Sequence, residues 1–453
     1  MRQSAELAGL DGAIGAVVME ERATVASNVF DGPDIGMMAS PAAAMTIAQN
    51  SITEAGVGIF LADVAATTIA QNSITGSGLA VFAAAGESEA SETDPSLHSD
   101  SLYDTFLAGA PDSMTDWIAG ASTGVDLDAA ALYRSSGLGG ANTWTANAIT
   151  DNGAGILIAG EVTGSQIGTG APAAANTITG NRQGGVLMIG NGSDAPQDIT
   201  IRGNVIFGNG GNSGSPNNPF TTLTGQVPDI AFVTDESGTS FDVVSNDARD
   251  ADVGPNGLQN HPNITRVGSD GSIEGRLHSE PNSSYTIDLY ANSAPCNPTG
   301  YGGGQVMLGS VDVTTNAAGE APFTYNGSLA PGQTVTAIAT STGLVDGASS
   351  QFSHCLGVGE VAAATTAPAA AGDDRLEVTD DDGFNVGEDV IINPGGDNEE
   401  HGTIDGFGSI ILANPLQFPH QPGELILRDG PAKPGAPTAP RNVAATAGNA
   451  SVT

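Results

Sequence analysis

The densest set of side chains able to do chemistry lies in NDARDADVGPNGLQN, residues 246–260. Asp247, Asp250, Asp252 and Asn256 place oxygen donors at alternating positions around a glycine turn, the way a short loop wraps a hard cation such as Ca²⁺. The loop departs from the EF-hand pattern, because Gly254 takes a ligand position and no Glu closes it. The alternative is an acidic turn whose side chains hydrogen-bond to their own backbone. TDDDG at 379–383 is a weaker version and reads as a turn. Six His residues, at 98, 261, 278, 354, 401 and 420, show no metal-ligand spacing and read as solvated surface. No catalytic residue and no organic cofactor is assigned.

The elements that would position these groups are repetitive. TIAQNSITEAGVGIF (46–60) returns as TIAQNSITGSGLAVF (68–82), so that Asn50 falls on Asn72 at a period of 22. Such a period marks a solenoid whose coils bury their apolar faces only by stacking. Ile47, Ile52, Ile59 and Leu61 sit among Thr, Ser, Asn and Gly in short alternating runs, which read as brief strands joined by tight turns. NAITDN (147–152), NTITGN (176–181) and NVIFGN (204–209) repeat the frame N-x-I-x-x-N. Asn suits the corner: it tolerates the left-handed region, and stacked Asn residues ~4.8 Å apart can hydrogen-bond as a ladder. The pattern breaks at residues 86–140, an inserted segment in which LYDTFLAGAPDSMTDWIAG reads as two short helices split by Pro111.

Composition narrows the function classes. The formal charge of −39 comes from 51 acids against 12 basic residues, and Lys433 is the only Lys. A surface of this sign repels nucleic acid and anionic membranes, so neither is expected as a partner. Adaptation to salt, which screens the self-repulsion, and an ordinary acidic secreted protein both fit this balance. No apolar run reaches the ~18 residues of a membrane span. MRQSAELAGLDGAIGAVVMEE lacks signal-peptide form, and the export signal is expected upstream of residue 1.

The coil motifs, with IGTG (167–170), ANTITGNRQGGVLMIG and ITIRGNVIFGNGG, resemble the right-handed parallel β-helix repeat proteins of the pectate-lyase-like superfold. More narrowly, the chain is similar to modular bacterial surface proteins whose helix ends in a segment like that at 246–262. The resemblance implies an all-β chain: a right-handed parallel β-helix over 1–262, then an immunoglobulin-like β-sandwich over 263–358 with Cys296, GGGQ (302–305) and SQFSHC (350–355) as landmarks. A linker at 359–371, a small β module at 372–428, and a second linker with the start of a fibronectin type III domain at 429–453 complete the division. Cys296 and Cys355 are the only two Cys, and both fall inside the sandwich module. A disulfide between them is expected, worth roughly 4 kcal/mol on a chain-entropy estimate, with two buried thiols as the alternative.

This superfold hosts enzymes and inert adhesins alike, so activity must come from a site. A pectate-type lyase needs clustered carboxylates and an Arg or Lys base, yet Arg182 and Arg202 fall in different columns of the repeat. The expectation is an extracellular structural or adhesive protein whose coil faces bind a glycan or another surface. A polysaccharide lyase or glycoside hydrolase, with its site on the groove near residues 86–140, is the alternative.

Overall fold

The structure is a computed structural model describing residues 14–429, apart from 19, 40–41, 86–139, 191–194, 211–226, 234–240, 294, 343–345, 380, 382, 395 and 397. The inserted segment, except Gly140, and the segment 430–453 therefore lie outside the described residues. The chain divides into two compact units, Met1–Gly359 and Glu360–Thr453.

The first unit opens as a parallel β-helix. Each coil contributes one strand to each of three sheets, and the 22-residue repeat sets the register: Thr46, Ile47 and Ala48 pair with Thr68, Ile69 and Ala70. One short-strand sheet stacks Thr24–Ala26, Thr46–Ala48, Thr68–Ala70, Thr143–Thr145, Gln166–Ile167 and Thr200–Ile201. The other stacks Val29–Asp31, Ser51–Thr53, Ser73–Thr75, Ala148–Thr150, Thr177–Thr179 and Val205–Phe207. In these three-residue strands the middle side chain points inward. Ile47, Ile52, Ile69, Ile74, Ile149 and Ile178 are all buried in one continuous core. The pairing of Thr68 with Thr143 joins the coils on either side of residues 86–139 directly, so the stack of described coils is continuous there.

Corners are held by asparagine. Asn28, Asn50, Asn72, Asn147, Asn176 and Asn204 form a ladder in which each Oδ1 accepts both the backbone and the side-chain N–H of the Asn one coil earlier. Asn50 N and Nδ2, for example, reach Asn72 Oδ1 at 3.0 and 2.9 Å. The Nδ2 groups also donate to backbone carbonyls, as Asn72 does to Ile47 at 2.9 Å. A second ladder runs through Asn152, Asn181 and Asn209. The side-chain amides of the buried Asn residues in these ladders thus all have partners, which is what buried amides require. Neighbouring corner positions take positive φ even without glycine, as at Gln49, Glu54 and Gln71. The stacked backbone bonds, such as Gln49 N to Ala70 O at 3.0 Å, hold that otherwise unfavourable conformation in place.

Long strands build the third sheet, from Ile14–Val18 through Val57–Ala62, Leu79–Ala85 and Ala154–Gly160 to Ile230–Val233. They are apolar on both faces. Ile59, Val81 and Ile156 face the interior core. Phe82, Leu157, Leu187 and Ala231 belong to a separate buried cluster, with Phe60 packed against it. Near-continuous hydrophobic runs of this kind are what parallel strands covered on both sides require.

Antiparallel sheets follow. A three-stranded sheet comprises Asn263–Val267, Ser272–His278 and Glu320–Asn326. A second sheet orders Val306–Thr314, Ser284–Asn292, Thr334–Thr342 and Asp346–Ser349, with Leu356–Gly357 also on Thr334–Thr342. Cys296 and Cys355 are joined by a disulfide, their Cα atoms 6.2 Å apart.

The second unit is a six-stranded sheet whose core includes Leu376, Phe384, Val390, Ile404 and Ile426. Two expectations change here. Residues 359–371 are not a linker: Ala362–Ala364 pairs with Leu425–Arg428, and Ala363 is fully buried because its small side chain fits between packed strands. His420 is not solvated either. It is inaccessible, with Nε2 2.8 Å from Glu400 Oε1 and Nδ1 2.5 Å from Glu424 Oε2. Burial alone would lower its pKa, but the hydrogen bonds and charges of Glu424 and Glu400 outweigh it and raise the value.

Candidate functional site: the sealed end of the coil

The last coil leaves three strand edges and an apolar core in need of cover. Loops of the antiparallel sheets supply it. Beyond Thr200–Ile201, Ser349 N donates to Ile199 O at 3.1 Å and its Oγ accepts Ile201 N at 2.8 Å. Beyond Val205–Phe207, Gly304 exchanges both backbone bonds with Ile206. A side chain is excluded at 304, since a Cβ would stand 2.8 Å from the Phe352 ring and 3.0 Å from that of Tyr290. At the long sheet, Gln351 Nε2 donates to Ile230 O at 3.1 Å while its Oε1 accepts Val244 N at 2.8 Å. Helix and antiparallel sheets therefore fall within one compact unit.

Two charged groups sit in this seam. Arg202 clasps the inaccessible Asp288 with two bonds, Nε to Oδ2 at 2.8 Å and Nη2 to Oδ1 at 2.7 Å. Asp229 ends the second Asn ladder, its Oδ1 accepting Asn209 N and Nδ2 at 2.9 and 2.8 Å. The nearby Asn297 amide spends its N–H groups on the carbonyls of Asn209 and Val227, at 3.0 and 3.2 Å. Asp229 Oδ2 is left buried without a hydrogen bond. Burial, only partly offset by the Asn209 bonds, pushes this carboxyl's pKa up. Beside it opens a cavity of about 110 Å³ lined by Phe207, Asn292, Asn297, Pro298 and Gln305 among others.

The acidic loop lies against the same end. Asp247, Asp250 and Asp252 bring one oxygen each within 4.8 Å of one another, the only such group of three among the described residues. Asp250 accepts Ser279 Oγ at 2.5 Å and Asn260 N at 2.9 Å, yet burial, with the charges of Asp252 and Asp247, raises its pKa to about 8. Burial and Asp247 likewise raise Asp252 to about 7, and Asp252 Oδ1 has no hydrogen-bond partner. Asn256 does not join them. Its Oδ1 accepts Ile199 N and its Nδ2 donates to Ile199 O, both at 2.8 Å, with a further bond to Ser349 O at 2.9 Å. It supplies the next rung of the coil instead of a metal ligand, so the expected foursome reduces to three carboxylates.

Closing the helix is thus divided between Asn256, in the expected segment, and side chains that carry no repeat: Arg202, Asp229, Asp288, Ser349 and Gln351. No sequence signal gave these residues a role in closing the helix, although Arg202 and the SQFSHC stretch holding Gln351 stood out for other reasons, because the partners of Arg202, Ser349 and Gln351 come from distant parts of the chain. His261 and His354, expected in solvent, flank Tyr301 with ring centroids 5.2 and 5.1 Å away. Burial lowers both to about 4. Arg182 and Arg202 indeed occupy different columns, since Asn181 stacks on Asn209 and sets Arg182 opposite Gly210.

Comparison with known proteins bears first on the coils. Residues 11–91 match the family model described as periplasmic copper-binding protein (NosD). No curated protein matches the chain. Among solved structures, the tailspike protein of Acinetobacter baumannii phage AM24 is similar at 9% identity and a TM-score of 0.16, over 91% of this chain. The chain spans 59% of that tailspike's length.

Proposed function

We propose that this chain is an extracellular structural or adhesive protein whose coil faces present a binding surface to a glycan or another surface, without catalysis. The observation that carries this reading is where the acids converge. The one group of three clustered carboxylates among the described residues lies beyond the last coil, with Asp247 and Asp250 accepting backbone N–H bonds, rather than on adjacent coils. Export is supported by the Cys296–Cys355 disulfide, which persists in oxidising compartments, and by the periplasmic description of the family matched at 11–91. Among the described residues no helix is long and apolar enough to cross a membrane.

Copper does not fit the matched stretch. Residues 11–91 contain neither His nor Cys, and Met37 and Met45 are packed into the coil core. The Asp247, Asp250 and Asp252 carboxylates are hard oxygen donors that suit Ca²⁺ instead. Calcium at this loop is expected to raise the melting temperature of the first unit, and Asp252→Asn to remove that rise. An equal response to Ca²⁺ in both proteins would sink the site.

The function is tested by incubating the protein with a panel of glycans in Ca²⁺ at the ~1 mM scale of extracellular sites, scoring retention and released ends together. Retention without product is expected. Product that disappears when residues 86–139 are deleted would establish the polysaccharide-degrading alternative.

A further inference from the structure

We propose that the two short-strand sheets together form the binding face, and that its ligand is a neutral, hydroxyl-rich polysaccharide lying along the coil axis. This deepens the adhesive reading and rests on it.

The face is nearly free of charge on a strongly charged protein. Charged residues make up 14% of the sequence, yet Asp31 is the only one in the strands of these two sheets. It sits in the outermost coil, where its Oδ1 accepts Thr53 Oγ1 at 2.6 Å. Outward positions hold small polar or methyl-bearing groups instead. Thr53, Thr75, Thr150 and Thr179 stand in one registered column. Thr46, Thr68 and Thr143 form another on the adjoining sheet. At the corner between the sheets, Gln49 Nε2 donates to Gln71 Oε1 at 3.0 Å along the exposed edge. Glu54 and Asp151 lie past the far edge, at the turns.

These properties select the partner. A polyanion would meet a chain of net charge −39, and a protein partner would need a cluster of large anchors, whereas this face carries a single aromatic, Phe207, at one end and Val29 at the other. Threonine is stiff at χ1, so a fixed array of hydroxyls and methyls is presented at little entropy cost. Rungs repeat every ~4.8 Å, close to the advance of one pyranose unit in an extended glycan, so successive sugars meet equivalent groups. The Thr column ends on Phe207, which pairs with Thr179 and also walls the 110 Å³ cavity. A half-exposed ring at that point offers a platform on which the apolar face of a sugar stacks.

The test measures retention of the full chain on insoluble β-glucan and mannan, with polygalacturonate as the polyanion. Wild type is expected on the neutral polymers only. Thr75→Arg combined with Thr150→Arg should weaken retention about tenfold or more, equivalent to ~1.4 kcal/mol. Phe207→Ala should weaken it less. Val306→Arg, which places the same charge at an exposed site on the antiparallel sheets, should bind as wild type. If the double variant, shown folded by an unchanged melting curve, binds as tightly as wild type, this face is wrong while the adhesive reading stands. Retention of wild type on polygalacturonate alone would overturn the neutral-ligand assignment, and retention on no polymer would overturn both.

Discussion

The corners of the coils and the seam that seals their end solve the same problem in opposite ways. Both bury backbone edges that need partners. Along the coils one residue type answers at one interval, each Asn satisfying its predecessor and being satisfied by its successor. At the seam amides, a hydroxyl and a glycine backbone close the edges, an Arg–Asp pair adds a charged contact, and none repeats. A solenoid can extend by copying a local rule, whereas its end must be fitted once.

The comparison is broken most severely inside a ladder. Asn147→Leu removes the acceptor for Asn72 N and Nδ2 and the donor to Ile69 O, three buried groups that no water reaches. With each orphan costing about 1–3 kcal/mol, a loss of roughly 3–5 kcal/mol is expected in denaturant unfolding of the first unit. A loss below about 1 kcal/mol would show that the ladder is ornamental.

At the seam, Arg202→Met takes from the buried Asp288 its guanidinium partner and leaves it the Ser310 hydroxyl at 2.6 Å, which should cost about 3 kcal/mol. A double variant that also carries Asp288→Leu should recover most of that loss. Failure to recover would mean that Arg202 acts by some route other than its partner.

Asp229→Asn sharpens the comparison, because it converts the terminal acid into the residue used in the ladder itself. The folded pKa of Asp229 lies above its unfolded value of ~3.9, so the wild type loses stability as pH rises from that value through the folded one. The variant lacks this loss. It should be more stable at pH 7 and match the wild type near pH 3, read as melting temperature against pH. A constant difference at all pH values would assign the effect to packing rather than to ionisation.

The smallest effect belongs to Gln71→Ala. Its side chain accepts from Gln49 Nε2 at 3.0 Å in full exposure, where water replaces the bond. A change within about 0.5 kcal/mol is expected. Together with Asn147→Leu it separates the buried ladder from the exposed one at the same corner.

The coils were legible because their contacts are local in period. Asn50 and Asn72, or Ile52 and Ile74, occupy the same place in successive repeats, and stacking follows from the spacing alone. The acidic loop was legible as a cluster, but Asn256 was misread. Its spacing from Asp252 suits a ligand, and only the position of Ile199 shows that its amide is already spent. His420 was misread for a similar reason, since a lone His gives no sign of two carboxylates that approach from residues 400 and 424. The Ala-rich stretch at 359–371 resembled a linker because small residues look alike in a linker and in a tightly packed strand.

By itself, then, the sequence determined the all-β architecture, the parallel stack, the Asn corners and the near-absence of charge from the short strands, where Asp31 stands alone. All of these are properties of a repeat, in which each residue's partner is its own equivalent one coil away. Tertiary structure alone decided how the stack ends: that Arg202 meets Asp288, that Ser349 and Gly304 stand where a further coil would, and that Asp229 is buried at the end of the second ladder. Those partners are separated by tens to more than a hundred residues with no period relating them, and only the folded chain brings them within hydrogen-bond reach.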